Sequence, residues 1–155
     1  MVLACGAILF MRWMLFEPYV IPSGSMIPTL LVHDHILVSK WNYGIRYPFS
    51  KEWLSEPEAP KRGDIVVFRS VDDDGFFMIK RVIGLPGEVI EYQPDGKLIV
   101  NGEEIPRVPI EKPQESKDFY KVDETDLRGE FEEYDFFQQK VGEHKVRTIF
   151  RKNDF

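Results

Sequence analysis

Phe76-Phe77-Met78-Ile79-Lys80-Arg81-Val82-Ile83, closed by Gly84-Leu85-Pro86-Gly87, is the stretch that decides the fold. Aromatic, aliphatic and β-branched residues run together until glycine and proline break the chain, which predicts a strand ending in a turn. Upstream, His35-Ile36-Leu37-Val38 and Asp64-Ile65-Val66-Val67-Phe68 are short runs of the same kind, each introduced by turn-type residues. Downstream, Glu88-Val89-Ile90-Glu91-Tyr92 and Lys97-Leu98-Ile99-Val100 flank Pro94-Asp95-Gly96, a hairpin signal, and Asn101-Gly102 is a second tight turn. Lys145-Val146-Arg147-Thr148-Ile149-Phe150 alternates as a half-buried strand does. Residues 103–130 are polar, acidic and proline-bearing, and predict a long surface excursion. With no internal repeat and no linker between two cores, one mostly antiparallel β domain is the economical reading.

The bulk properties narrow the function classes. At 155 residues, 43% hydrophobic and 14% aromatic, the chain can bury one core of ordinary size. A net charge of -6 without any basic stripe argues against a nucleic-acid partner and reads as a solubility device. Cys5 is the single cysteine, so no internal disulfide forms, and its apolar surroundings predict a small buried hydrophobe. His33, His35 and His144 match no ligand spacing, so no metal and no cofactor are expected.

Val2 to Phe16 is almost wholly apolar, broken by Gly6 and Arg12. It falls short of the roughly 20 residues a span needs, and no small-residue cleavage site precedes Glu17-Pro18. Residues 1–16 therefore predict the last part of a membrane-anchor helix, with Arg12 snorkelling or facing protein. The plainer alternative is a buried N-terminal helix of a soluble domain. Pro18 and Pro22 stop any helix before the segment that follows.

That segment, Pro22-Ser23-Gly24-Ser25-Met26-Ile27-Pro28, cannot form a regular helix or strand, and Gly24 lets another backbone approach closely. A loop of this kind can hold the Ser25 hydroxyl exposed, yet a hydroxyl is a poor nucleophile until a base takes its proton. No histidine here has a triad-like context. Lys80 is the better candidate base, because the neighbouring Phe76, Phe77, Met78, Ile79, Val82 and Ile83 predict an apolar wall. Desolvation disfavours a charged ammonium, and only a neutral lysine accepts a proton. Arg81 points to the opposite face of the strand and is expected to stay in water. Two plainer readings stay open at this level: an ordinary Lys-Arg pair on a sheet surface, and a Ser23 that only bonds its own turn.

Several blocks in order resemble the bacterial type I signal peptidases, membrane-bound endopeptidases that remove signal peptides from exported preproteins. They are Glu17 to Leu30 (EPYVIPSGSMIPTL), Asp34 to Val38, Trp41 to Ile45, Lys61 to Phe68 and Ile79 to Gly87. The resemblance implies a mostly β, antiparallel signal-peptidase-like catalytic domain over residues 17–155, behind a partial transmembrane helix over 1–16. It implies Ser25 as nucleophile, Lys80 as general base, and the Ser23 hydroxyl with the Ser25 backbone N–H as oxyanion donors. Tyr19, Ile21, Pro22, Met26, Leu30, Ile36, Val67, Met78 and Ile79 correspond to pockets for small side chains. Plain core packing is the other reading of those apolar positions. The implied substrates are signal peptides cleaved after Ala-x-Ala, an edge near Met78 accepting them as an added strand. The implied setting is the lipid of the bacterial plasma membrane, with the catalytic domain on its outer side.

The family pattern continues with a box of the form Gly-Asp-Asn-x-x-x-Ser-x-Asp-Ser-Arg, which supplies a hydroxyl that orients the lysine. Nothing like it occurs here, so the chain reads as a fragment or truncated relative carrying the serine and lysine without that support. Two rivals follow: an impaired relative that only binds signal-peptide-like segments, and a self-cleaving repressor-type Ser/Lys protease. The second would need a soluble DNA-binding domain where this chain has an apolar segment.

Overall fold

The computed structural model describes residues 5–6, 15–45, 47, 52–71, 75–111, 122, 127 and 131–152. They are organised mainly as antiparallel strands, and the chain forms two compact units, 1–21 with 33–60 and 22–32 with 61–155.

The first unit is built on β1 (Phe16–Val20) and β2 (His35–Ser39), paired from Phe16↔Ser39 to Val20↔His35. Pro18 has no N–H to give a ladder, which a two-stranded ribbon tolerates because each strand keeps an unpaired edge. The pairing is extended by Ile21 N–H to the Asp34 carbonyl at 3.0 Å and His33 N–H to the Ile21 carbonyl at 2.9 Å. Ile21 is 1% exposed. Phe16 packs edge-on against Trp41 with ring centroids 4.8 Å apart, which fixes the start of β1.

The second unit carries the remaining strands. β3 (Ile65–Arg69) and β4 (Phe77–Arg81) form an antiparallel pair in the register Val66↔Lys80 and Val67↔Ile79. β5 (Ile90–Tyr92), β6 (Leu98–Val100) and β7 (Glu103–Glu104) form a meander. Its first turn is tied by Gly96 N–H to the Gln93 carbonyl, and its second places Asn101 and Gly102 at φ 52° and 82°, as a type I′ turn requires. β8 (Arg107–Pro109), β9 (Tyr134–Val141) and β10 (His144–Arg151) form a third sheet in the order β10-β9-β8. The core of this unit gathers Val122, Leu127 and Phe136, with Ile27, Leu31, Ile110, Tyr134 and Ile149 against them.

Several expectations need correction. Phe16 does not end an anchor helix: it opens β1, held by its partner Ser39 and by Trp41. Cys5 and Gly6 are helical, but residues 1–4 and 7–14 of the expected anchor lie outside the described residues. Among the described residues, no helix is long and apolar enough to cross a membrane. Cys5 is exposed rather than buried. The region 103–130 is not one surface excursion, since it supplies β7 and β8 and buries Val122 and Leu127 in the core. Arg107 is the physical reason at β8: its guanidinium lies 5.2 Å from the Phe137 ring centroid and 5.1 Å from that of Phe150, against an edge-on pair of rings whose own centroids are 5.8 Å apart.

Close backbone packing joins the Arg62-Gly63 turn to the Gly142 turn between β9 and β10. A Cβ on Gly142, at φ +63°, would lie 2.5 Å from the Arg62 carbonyl oxygen. Gly87, at φ +85°, opens on free space. Gly142→Ala is therefore expected to lower stability by about 2–4 kcal/mol, and Gly87→Ala by about 1 kcal/mol, from urea unfolding midpoints. Equal losses at the two positions would contradict this packing.

At the tip of the β5–β6 hairpin, Asp95 accepts from the Lys97 ammonium at 2.8 Å and from its N–H at 3.1 Å. The Lys97 side-chain bond holds the Asp95 carboxyl below its ordinary value, the backbone bond adding to it. A depressed carboxyl contributes stability above its unfolded pKa and loses it as the pH falls through the folded one. Lys97→Ala should raise the Asp95 midpoint in a carboxyl NMR titration. An unmoved midpoint would contradict the assignment.

Candidate active site

Ser25 sits in a single 3-10 turn, Gly24–Met26, entered from an extended Ser23 at φ -146° and ψ 154°. The turn is closed by Ile27 N–H to the Gly24 carbonyl at 3.1 Å, and the chain is then drawn back by Thr29 N–H to the Met26 carbonyl at 2.8 Å. These bonds follow from the sequence: Pro22 and Pro28 remove donors at either end, so only a short turn fits between them. Met26 is buried, and Ile27 and Leu31 pack against the Val122, Leu127 and Phe136 cluster. The loop is thus anchored through its apolar members while Ser23 and Ser25 stay exposed.

Lys80 reaches the loop from β4. Its Nζ lies 2.5 Å from the Ser25 Oγ, a short hydrogen bond across 55 residues of sequence. The Ser23 and Ser25 hydroxyls are 3.5 Å apart. Two groups able to give or take a proton, Lys80 and Ser23, therefore converge at the Ser25 oxygen.

The surroundings of Lys80 differ from the expected apolar wall. Phe76 and Phe77 are 55% and 45% exposed, and Lys80 itself is half-buried. Strand alternation puts Met78 on the same face as Lys80, whereas Ile79 and its cross-strand partner Val67 lie on the other. Pro22 is exposed at the entry of the loop and Leu30 half-buried at its exit. Tyr19 and Ile36 are cross-strand partners in the first unit, which also holds Ile21.

Arg81 corrects a second expectation. It does point away from Lys80, but it does not stay in water. Its Nη1 donates to the Gly63 carbonyl at 2.6 Å and its Nη2 to the Thr29 Oγ1 at 3.3 Å. Desolvation pulls the guanidinium below its ordinary pKa, though an arginine so placed remains charged. Behind Gly63, Arg62 pairs with Glu88, whose other carboxylate oxygen accepts the Leu85 N–H at 2.7 Å. Alternation along the strand gave the face of Arg81, but nothing local in the sequence named the carbonyl waiting there. Among the described residues, no cluster of histidine, cysteine and carboxylate side chains could hold a metal ion.

Residues 1–149 match the model of the signal peptidase family, peptidase S26. The chain is 50% identical over 98 residues to signal peptidase I of Pseudomonas fluorescens, covering 63% of this chain and 34% of that protein. It is 48% identical over 96 residues to signal peptidase I of Pseudomonas aeruginosa, covering 62% and 34%. With signal peptidase I of Rickettsia canadensis the identity is 35% over 128 residues, 76% of this chain and 48% of the relative. The chain thus spans about a third to a half of the length of these relatives. With a match over nearly its whole length, the chain belongs to the S26 family of signal peptidases.

Proposed function

We propose that this chain carries the nucleophile and general base of a serine endopeptidase that cleaves signal peptides from exported preproteins. The observation that carries the reading is the 2.5 Å contact of Lys80 Nζ with Ser25 Oγ, beside the Ser23 hydroxyl.

In the reacting form a neutral Lys80 accepts the Ser25 proton while the Ser25 oxygen attacks the scissile carbonyl carbon. The carbonyl π electrons move to oxygen, giving a tetrahedral oxyanion. The Ser25 backbone N–H and the Ser23 hydroxyl stabilise that charge, a contribution of about 3–4 kcal/mol for a well-aimed donor. Collapse expels the amine, which takes the proton from Lys80 and leaves an acyl ester on Ser25. Water, deprotonated by the same lysine, then attacks the ester carbonyl; collapse releases the peptide acid and expels the Ser25 oxygen, which takes the proton back from Lys80.

Apolar pockets suit substrates with alanine at the first and third positions before the cut, because a narrow slot rejects larger side chains by clash. Met26, Leu30, Met78, Ile79, Val67 and Pro22, all of the second unit, are proposed to line them. An extended peptide would add to the edge of β4 through main-chain bonds. The proposed setting is the outer side of the bacterial plasma membrane, with residues 1–15 as part of the lipid anchor.

The test is cleavage of a synthetic peptide bearing Ala-x-Ala, followed by mass spectrometry, with the purified chain. A cut after the second alanine is expected. Ser25→Ala and Lys80→Met should reduce it to background, and Ser23→Ala should lower kcat about 100–1000-fold. Peptide retained uncut, with binding unaffected by Lys80→Met, would instead support a chain that only binds such segments.

A further inference from the structure

β4 carries two adjacent basic residues that act on the same loop from opposite faces. Lys80 meets the Ser25 hydroxyl directly. Arg81 lies on the reverse face, and its guanidinium bridges the Gly63 carbonyl and the Thr29 hydroxyl. Thr29 is also the residue whose N–H closes the chain back onto Met26, the neighbour of Ser25. A displacement of Thr29 is thus passed to Ser25 through one backbone hydrogen bond and a few covalent links.

The anchor of this bridge is itself held. Gly63 N–H donates to the Val82 carbonyl at 2.8 Å, and Val82 N–H donates to the Asp64 carbonyl at 2.8 Å, so the turn is stitched to the end of β4. The partly buried Arg62–Glu88 ion pair braces it from the other side. The Gly63 carbonyl is therefore a fixed acceptor, and the short 2.6 Å bond to it leaves Arg81 little freedom.

We propose that Thr29 and Arg81 are positioning residues, a clamp that sets the serine loop against β4 so that Ser25 stays within hydrogen-bond reach of Lys80. The proposal rests on the Ser/Lys reading and extends it to two residues that touch neither substrate nor reacting atoms. Shifts of about 1 Å between reacting groups can cost on the order of 100-fold, so a weak bond far from the chemistry can still be felt there.

The test replaces the nucleophile by a reporter thiol. In a Cys5→Ser, Ser25→Cys background the chain holds one thiol, and a nearby ammonium favours its reactive thiolate. The rate of alkylation by iodoacetamide at neutral pH, followed by intact mass, then reads how closely Lys80 is held. Lys80→Met should slow it. Thr29→Val should slow it severalfold towards the Lys80→Met rate, Thr29→Ser should restore the parent rate, and Arg81→Leu should follow Thr29→Val. Thermal melting of the Thr29 variants should match the background. If Lys80→Met slows alkylation but Thr29→Val does not, the clamp is overturned and the dyad stands. Equal slowing by Thr29→Val and Thr29→Ser would also overturn it, since the hydroxyl is then not the agent. No effect of Lys80→Met would overturn the Ser/Lys reading and the clamp with it.

Discussion

The proposed chemistry of this chain depends on one hydrogen bond, Lys80 Nζ to Ser25 Oγ at 2.5 Å. It links a strand to a loop 55 residues away, so neither partner can be positioned locally. The loop is fixed by what it buries: Met26 beneath the turn, then Ile27 and Leu31 against the Phe136 cluster. The strand is fixed by the register of β3 and β4, which pairs Lys80 with Val66. Two kinds of order therefore meet at one oxygen. Hydrophobic burial sets the height of the serine, and the period of the sheet sets the face of the lysine.

Polar contacts on the reverse side of β4 extend the same logic. Arg81, the Gly63 carbonyl, Arg62 and Glu88 form a connected set whose members are largely withdrawn from water. Leaving one donor or acceptor of such a set unpaired costs more than the bond is worth when made, so the set is strongly specified. It lies immediately behind the residue that meets Ser25. The proposed base needs a fixed distance to Ser25, and a strand braced on its rear face gives one.

Much of this was readable from residues alone, for physical reasons that can be named. β3, β4, β5 and β6 were visible because their apolar runs are bounded by glycine, proline and aspartate, and turn chemistry is local. β1 was hidden by Pro18, which argues against a strand unless the strand is an edge. β9 was hidden because Gln139 is buried in mid-strand and breaks the apolar alternation. Its amide is satisfied by the Ile105 carbonyl and the Thr148 hydroxyl, partners no sequence window contains. β7 and β8 were obscured by Glu103, Glu104 and Arg107, polar residues that a ladder or an aromatic pair accommodates. Ser25 and Lys80 were legible as residue types in suggestive contexts, whereas their distance is a property of the fold alone. Arg81 shows the limit most clearly: periodicity tells which way a side chain points and is silent about what it meets.

The central claim is that Ser25 becomes a nucleophile because Lys80 is held against it. Its most direct measurement is the intact mass of the chain after incubation with an activated ester of an Ala-x-Ala peptide acid, with the site mapped by fragmentation. The account predicts one acyl adduct on Ser25, absent from Lys80→Met. An adduct on Ser25 that forms as fast without Lys80, or none on Ser25 while other serines react, would contradict it.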